Sequence, residues 1–213
     1  MRAALRRACL VAFRCPALAM SACLVTGLLT AFVVIWHAGL PTLATLDVYH
    51  QTVAVHRGLL LVTLPWVAHR SQPRESPRAI AWLGVLTATE PGTHLVARVV
   101  ATWLVLVAQI VTALPALYLA QQASDVSWTA PVMDLATPMA WAVGIAVVSV
   151  AACRRLRHAL AAWTVTAACT CVAGVLAYLA SAPAGLSSVA AVAMAGVGIL
   201  TLTAWSARWT ALT

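Results

Sequence analysis

Residues 15–46 read CPALAMSACLVTGLLTAFVVIWHAGLPTLATL and contain no Asp, Glu, Lys or Arg. A helix needs about 20 apolar residues to cross the hydrocarbon core of a bilayer, and this run is long enough to supply them. Three more uncharged stretches follow, at residues 99–124, 135–153 and 158–207. The sequence therefore predicts an all-α, polytopic integral membrane protein.

The composition excludes the common soluble classes. Of the 213 residues, 63% are hydrophobic and 8% are charged, and the mean hydropathy is +0.94. A soluble domain is about 25% charged, so this chain lacks the polar side chains that would cover a water-exposed surface. The net charge of +8 comes from arginines that cluster between the uncharged runs. That placement indicates membrane topology rather than a nucleic-acid partner.

Six transmembrane helices are predicted. A break containing Pro and Gly at residues 181–185 divides the last uncharged run into two spans. The second span is less obvious, because a helix that begins near Val48 carries four polar side chains into the membrane. The spans lie near residues 17–36, 48–69, 98–120, 130–152, 159–180 and 186–205, within a single transmembrane domain over residues 1–213.

The arginines also predict the orientation. With both termini in the cytoplasm, every one of the 13 basic residues except Arg57 lies on the cytoplasmic side. Residues 2–14 are expected to form an amphipathic helix on that surface, with its arginines near anionic lipid head groups. The heavy use of Ala, Val and Arg without lysine suggests a GC-rich genome, so we expect a multi-pass protein of a bacterial cytoplasmic (inner) membrane.

A short apolar helix is predicted over residues 79–90, in the cytoplasmic loop between spans two and three. Prolines precede it, and Pro91-Gly92 ends it before the third span begins. A helix of two to three turns is too short to cross the bilayer. It either lies against the membrane or contacts a cytoplasmic partner.

Residues 80–103, IAWLGVLTATEPGTHLVARVVATW, and the long helix that follows to LPALY at residues 114–118 resemble the membrane subunits of type-2 ABC transporters, the ABC-2-like permease family. The Arg-rich N-terminal segment that ends in FRCP at residues 13–16 is also similar. The resemblance implies a permease subunit that pairs with a second permease copy or a homologous permease and moves an unidentified substrate. It also implies a separate ABC ATPase that contacts residues 79–90 as a coupling helix. Its expected contacts are Ile80, Trp82, Leu83, Val85, Leu86 and Glu90.

Every one of the 13 basic residues is an arginine. A phosphate-binding loop needs a lysine, so this chain cannot form one. We therefore expect no catalytic residue and no cofactor in this chain. ATP and Mg would be bound and ATP hydrolysed by the partner ATPase, which makes this chain a transmembrane subunit rather than an enzyme.

The polar residues of the second span, together with one acidic residue near the start of the fourth, are candidates for a substrate path. Ionisable side chains within a span are costly and tend to face a cavity or a partner. The cations could attract an anionic head group or a carboxylate, or they could pair with Asp47 or Asp134. Alternatively, the helix begins nearer Val55 and Arg57 reaches the outer interface. The candidates are His50, Gln51, His56, Arg57 and Asp134.

Two other functions stay open. The chain could be a non-ABC structural or assembly subunit of a membrane complex. It could also be a haem or metal protein that uses His56 and His69, which are 13 positions apart on one helix. Such a site needs matching histidines on a second span, and the other histidines do not form a similar pair. No metal ligand is therefore predicted.

Overall fold

The computed structural model describes residues 2–39, 48–72, 91–155 and 164–168. The regular structure in these ranges is helical and includes no strand, which confirms the predicted all-α class for this part of the chain. Residues 164–168 form a short helical segment. The helices are α1 (Arg2–Phe13), α2 (Pro16–Gly39), α3 (Val48–Arg70), α4 (Pro91–Val111), α5 (Leu114–Gln122), α6 (Ala130–Asp134) and α7 (Ala136–Arg155).

Three helical stretches of the described chain are long and apolar enough to cross a membrane. They are Pro16–Trp36, Gly92–Gln122 and Ala130–Cys153, and they coincide with the predicted first, third and fourth spans. Helix α3 is 23 residues long but is not among them, because its first half carries polar and ionisable side chains. The structure therefore supports a membrane protein with three apolar spans in its described part.

Several predicted segments lie outside the described residues. The coupling helix over residues 79–90 falls entirely within the gap between residues 72 and 91. The predicted span at residues 186–205 is also outside, and of the span at residues 159–180 only residues 164–168 are described. The structure therefore does not test the count of six spans.

The described helices pack around α3 and α4. Helix α3 contacts α2, α4, α5 and α7, whereas α4 lies between α1 and α7. The centre of the bundle is filled by aliphatic side chains such as Leu29, Leu60 and Leu106, none of which has exposed surface. Large apolar side chains also cover the outside, including Ile35 at 63% and Val62 at 71% exposure. Such an outer surface is suited to contact with lipid.

Prolines set two of the helix boundaries. Pro16 begins α2 directly after α1, so the chain turns at this corner and α1 packs against α4. Pro115 lies in the first turn of α5 and has no N–H to continue the hydrogen bonding of α4. At this interruption the Thr26 hydroxyl of α2 donates to the Thr112 carbonyl at 2.9 Å. A side chain of a neighbouring helix thus satisfies a backbone acceptor where the span is broken.

Candidate functional site: a carboxylate cluster between α3 and α6

Asp134 is the last residue of α6, and both of its carboxylate oxygens accept hydrogen bonds from α3. The Tyr49 hydroxyl donates to Oδ2 at 2.7 Å, and the Arg57 guanidinium donates to Oδ1 at 3.1 Å. We call these three residues the carboxylate cluster. The structure contains the pairing of Arg57 with Asp134, one of the alternatives left open by the sequence, and the other possible partner, Asp47, lies outside the described residues.

The spacing of the two donors along α3 explains how one carboxylate engages both. Tyr49 and Arg57 are eight residues apart, which is about 12 Å along a helix that rises ~1.5 Å per residue. Both side chains are long enough to converge on Asp134 from two turns apart. Tyr49 is 1% exposed, whereas the side chains of Arg57 and Asp134 are 41% and 30% exposed. The cluster therefore has a hydrogen bond from a buried tyrosine on one side and a half-exposed ion pair on the other.

The first turn of α3 is tied to the segment that follows α5. The backbone N–H of Tyr49 donates to the Ser124 Oγ at 3.3 Å, which satisfies one of the amide groups that a helix start leaves without an intrahelical acceptor. Helix α3 begins at Val48 and not nearer Val55. Arg57 therefore lies in the third turn of a continuous helix, and its Nε is buried without a partner in the described structure.

The other candidate path residues of α3 differ in their exposure. His50 is exposed, and its ring lies edge-on to that of Tyr49 with the centroids 5.7 Å apart. Gln51 is half-buried, and His56 is 2% exposed, inside the bundle. Of the five candidates, the structure joins Arg57 and Asp134 by direct contact.

The bundle interior holds polar atoms that have no hydrogen-bond partner in the described structure. They include the Nε2 of His56 on α3 and both amide atoms of Gln109 on α4, together with the Oγ of Ser21 on α2 and the Nε1 of Trp141 on α7. Gln109 has no exposed surface. His56 and Gln109 lie on α3 and α4, which pack against each other. Buried polar groups without partners are costly, and each one requires an explanation.

The residues proposed to contact an ATPase, from Ile80 to Glu90, lie outside the described residues. For the haem or metal alternative, the structure places the His69 Nδ1 3.5 Å from the Cys153 Sγ. In residues 2–39, 48–72, 91–155 and 164–168, no group of three or more His, Cys, Asp or Glu side chains could hold a metal ion. His56 and His69 lie on the one helix α3, as the sequence indicated.

Sequence reasoning did not identify Tyr49, Ser124 or Gln109. One signal for Tyr49 was its position eight residues before Arg57, which allows both side chains to reach one acceptor on a neighbouring helix. Gln109 could have been noticed as an amide within the uncharged run 99–124, since such a side chain in a membrane helix needs a partner or a polar environment. For Ser124 the sequence offers no comparable signal.

The chain matches no protein-family model, no curated protein and no solved structure. Function must therefore be inferred from the residues and their arrangement.

Proposed function

We propose that this chain is the permease subunit of an ATP-driven ABC transporter that moves an unidentified substrate across a bacterial cytoplasmic membrane. A second permease copy or a homologous permease pairs with it, and a separate ABC ATPase binds ATP and Mg. The chain's own lack of lysine requires ATP to be hydrolysed elsewhere. The resemblance of residues 80–103 to type-2 permeases supports the assignment to this class of ABC transporter.

The polar interior of the described bundle is the observation that carries a transport function. A subunit that only supports other helices would be expected to fill its interior with apolar side chains or with satisfied polar networks. Here His56 and Gln109, on the packed helices α3 and α4, hold buried polar atoms that have no hydrogen-bond partner in the described structure. Within a membrane, such groups are tolerated where they face a cavity, water or a polar ligand.

The carboxylate cluster supports the same proposal. Arg57 and Asp134 would form a half-exposed ion pair near one end of the path, and Tyr49 would hold the carboxylate from the buried side. A polar substrate with a charged group would compete with one of these partners as it enters. Opening of the pair would then connect the bundle interior to one side of the membrane.

The partnership with an ATPase can be tested by co-purification. The tagged full chain is purified from its native membranes in mild detergent, and ATP hydrolysis is measured in the eluate. Trp82→Arg and Leu83→Asp should each remove most of the co-purified activity, because the coupling helix would lose its apolar contact. Trp128→Arg is the matched control, since Trp128 is 73% exposed and lies in the loop before α6. An eluate without ATPase activity, or with equal activity in all variants, would contradict the proposal.

The role of the interior can be tested with Gln109→Leu, which is similar in volume and removes the amide. We expect the free energy of unfolding to rise by about 1 kcal/mol, because an unsatisfied buried polar group is removed. ATP hydrolysis by the reconstituted complex should fall if the amide belongs to the path. Val111→Leu, on the exposed side of α4, is the control. Greater stability with unchanged hydrolysis would favour a structural subunit instead.

A further inference from the structure

A proline inside α3 faces polar side chains on two neighbouring helices. Pro65 is buried within α3, Ser21 of α2 is 2% exposed, and Gln109 of α4 has no exposed surface. We infer that an ordered water molecule binds between α2, α3 and α4 at the level of Pro65. We call Ser21, Leu61, Pro65 and Gln109 the hydration site.

Pro65 leaves one backbone acceptor of α3 without its usual donor. A proline has no N–H, so the carbonyl of Leu61, four residues earlier, cannot receive the regular hydrogen bond of an α-helix. Thr63 carries a hydroxyl in the same turn, but that hydroxyl donates to the Leu59 carbonyl at 2.9 Å. Within a membrane, a freed carbonyl is satisfied by a neighbouring helix, by a hydroxyl or by an ordered water.

The contacts between α3 and α4 place Gln109 opposite Pro65. The start of α3 contacts the segment after α5, so α3 and α4 run in opposite directions. At the other end of α3, the Gln72 Nε2 donates to the Thr102 Oγ1 at 2.6 Å. Seven residues before Gln72 is Pro65, and seven residues after Thr102 is Gln109. Because residues seven apart lie on the same face of a helix, these two residues face each other two turns from the observed hydrogen bond.

Ser21 lies close to the same level on α2. The Thr26 hydroxyl of α2 donates to the Thr112 carbonyl at 2.9 Å, and both α2 and α4 run opposite to α3. Ser21 is five residues before Thr26, and Gln109 is three residues before Thr112. At ~1.5 Å per residue, the two levels differ by about 3 Å. Helices α2, α3 and α4 also pack pairwise, so Ser21 is near the other members of the hydration site.

The polar atoms of the hydration site match the hydrogen bonds of a water molecule. Both amide atoms of Gln109 and the Oγ of Ser21 are buried and have no hydrogen-bond partner among the residues that the structure describes. A water can donate to the Leu61 carbonyl and to the Gln109 Oε1 while it accepts from the Ser21 hydroxyl. Buried waters usually make about three such bonds. All of these groups are uncharged, which favours a neutral ligand over an ion.

Hydration is compatible with the greater stability expected for Gln109→Leu. The leucine would displace the water together with the amide, and release of a confined water recovers its entropy. The inference requires neither an ATPase nor a substrate. Its test is therefore independent of the proposed transport function.

Radiolytic hydroxyl labelling detects such a water directly. An X-ray pulse converts bound water into hydroxyl radicals that oxidise the adjacent side chains, and mass spectrometry identifies the oxidised positions. The probe is water itself, and the full chain is labelled in lipid nanodiscs. Leu64 precedes Pro65 and has no exposed surface. It should be labelled faster than Leu29 of α2, which is equally buried.

Two double variants test whether the hydration site holds this water. Ser21→Ala with Pro65→Ala removes a hydroxyl and supplies an N–H for the Leu61 carbonyl, so the labelling rate of Leu64 should fall to that of Leu29. The matched control, Ser127→Ala with Pro131→Ala, should leave the rate unchanged. Its serine is exposed, and its proline lies in the first turn of α6, where no helical hydrogen bond is interrupted.

Equal labelling of Leu64 and Leu29 in the unaltered chain would overturn the inference. So would a Leu64 rate that is the same in the two double variants. Leu29 also reports folding, because its rate would rise if the bundle opened. If the first double variant fails to fold, Ser21→Ala alone replaces it, and Leu64 should still be labelled more slowly than in Ser127→Ala.

Discussion

Two regions along α3 place arginine in different surroundings. In the first half of the helix, Arg57 is paired with a carboxylate, because Asp134 accepts its hydrogen bond at 3.1 Å while Tyr49 donates to the other carboxylate oxygen. Beside the far end of the helix, Arg7 of α1 and Arg98 of α4 border one cleft. The first arrangement joins α3 to α6 through one acidic side chain. The second brings basic side chains of two other helices together.

Removal of the carboxylate should produce the largest effect. Asp134→Ala deletes the acceptor of two hydrogen bonds, one of them from the buried Tyr49, and should lower the free energy of unfolding by about 3 kcal/mol. Denaturant titration in detergent micelles measures this change. Asp125→Ala is the control, because Asp125 is exposed, and its effect should stay below about 0.5 kcal/mol. Similar losses in both variants would show that the cluster does not join α3 to α6.

Within the carboxylate cluster, Tyr49 should contribute more to the free energy of unfolding than Arg57. Tyr49→Phe removes only the hydroxyl that donates to Asp134 and should cost about 1.5 kcal/mol, since a hydrogen bond to a charged group is lost. The same titration compares it with Tyr118→Phe, whose side chain is half-buried on α5. Combined with Asp134→Ala, Tyr49→Phe should add almost nothing, because the bond is already absent. If the losses of the two single variants add up fully in the double variant, Tyr49 and Asp134 are not coupled.

Arg57 should contribute less to stability than Tyr49. Arg57→Gln should lower the free energy of unfolding by about 0.5 to 1 kcal/mol, because a half-exposed ion pair is screened by solvent. Arg70→Gln, at the exposed end of α3, gives the matched loss of charge. The difference in the free energy of unfolding between the two variants should become smaller at high salt, because salt screens the ion pair. A loss above about 3 kcal/mol would instead indicate a fully desolvated pair.

The helices were more predictable from the sequence than the contacts between them. The extents of the three apolar spans follow from lengths of uncharged sequence, because transfer into lipid depends on local composition. The start of α3 stayed open between Val48 and a position nearer Val55, and the structure places it at Val48. The break in the helix between α4 and α5 was less apparent from the sequence, although Pro115 causes it. The partner of Arg57 remained open between Asp47 and Asp134, since helical spacing defines a face but not the helix that packs on it.

The sequence alone determined that this chain belongs in a membrane and where its arginines concentrate, since hydrophobicity and charge are properties of each local segment. The tertiary structure decided which polar groups meet. Arg57 and Asp134 are 77 positions apart, and Tyr49 and Asp134 are 85 apart. Arg7 and Arg98 lie on different helices and border one cleft. Contacts over such distances depend on how whole helices pack, so they can be read only from the folded bundle.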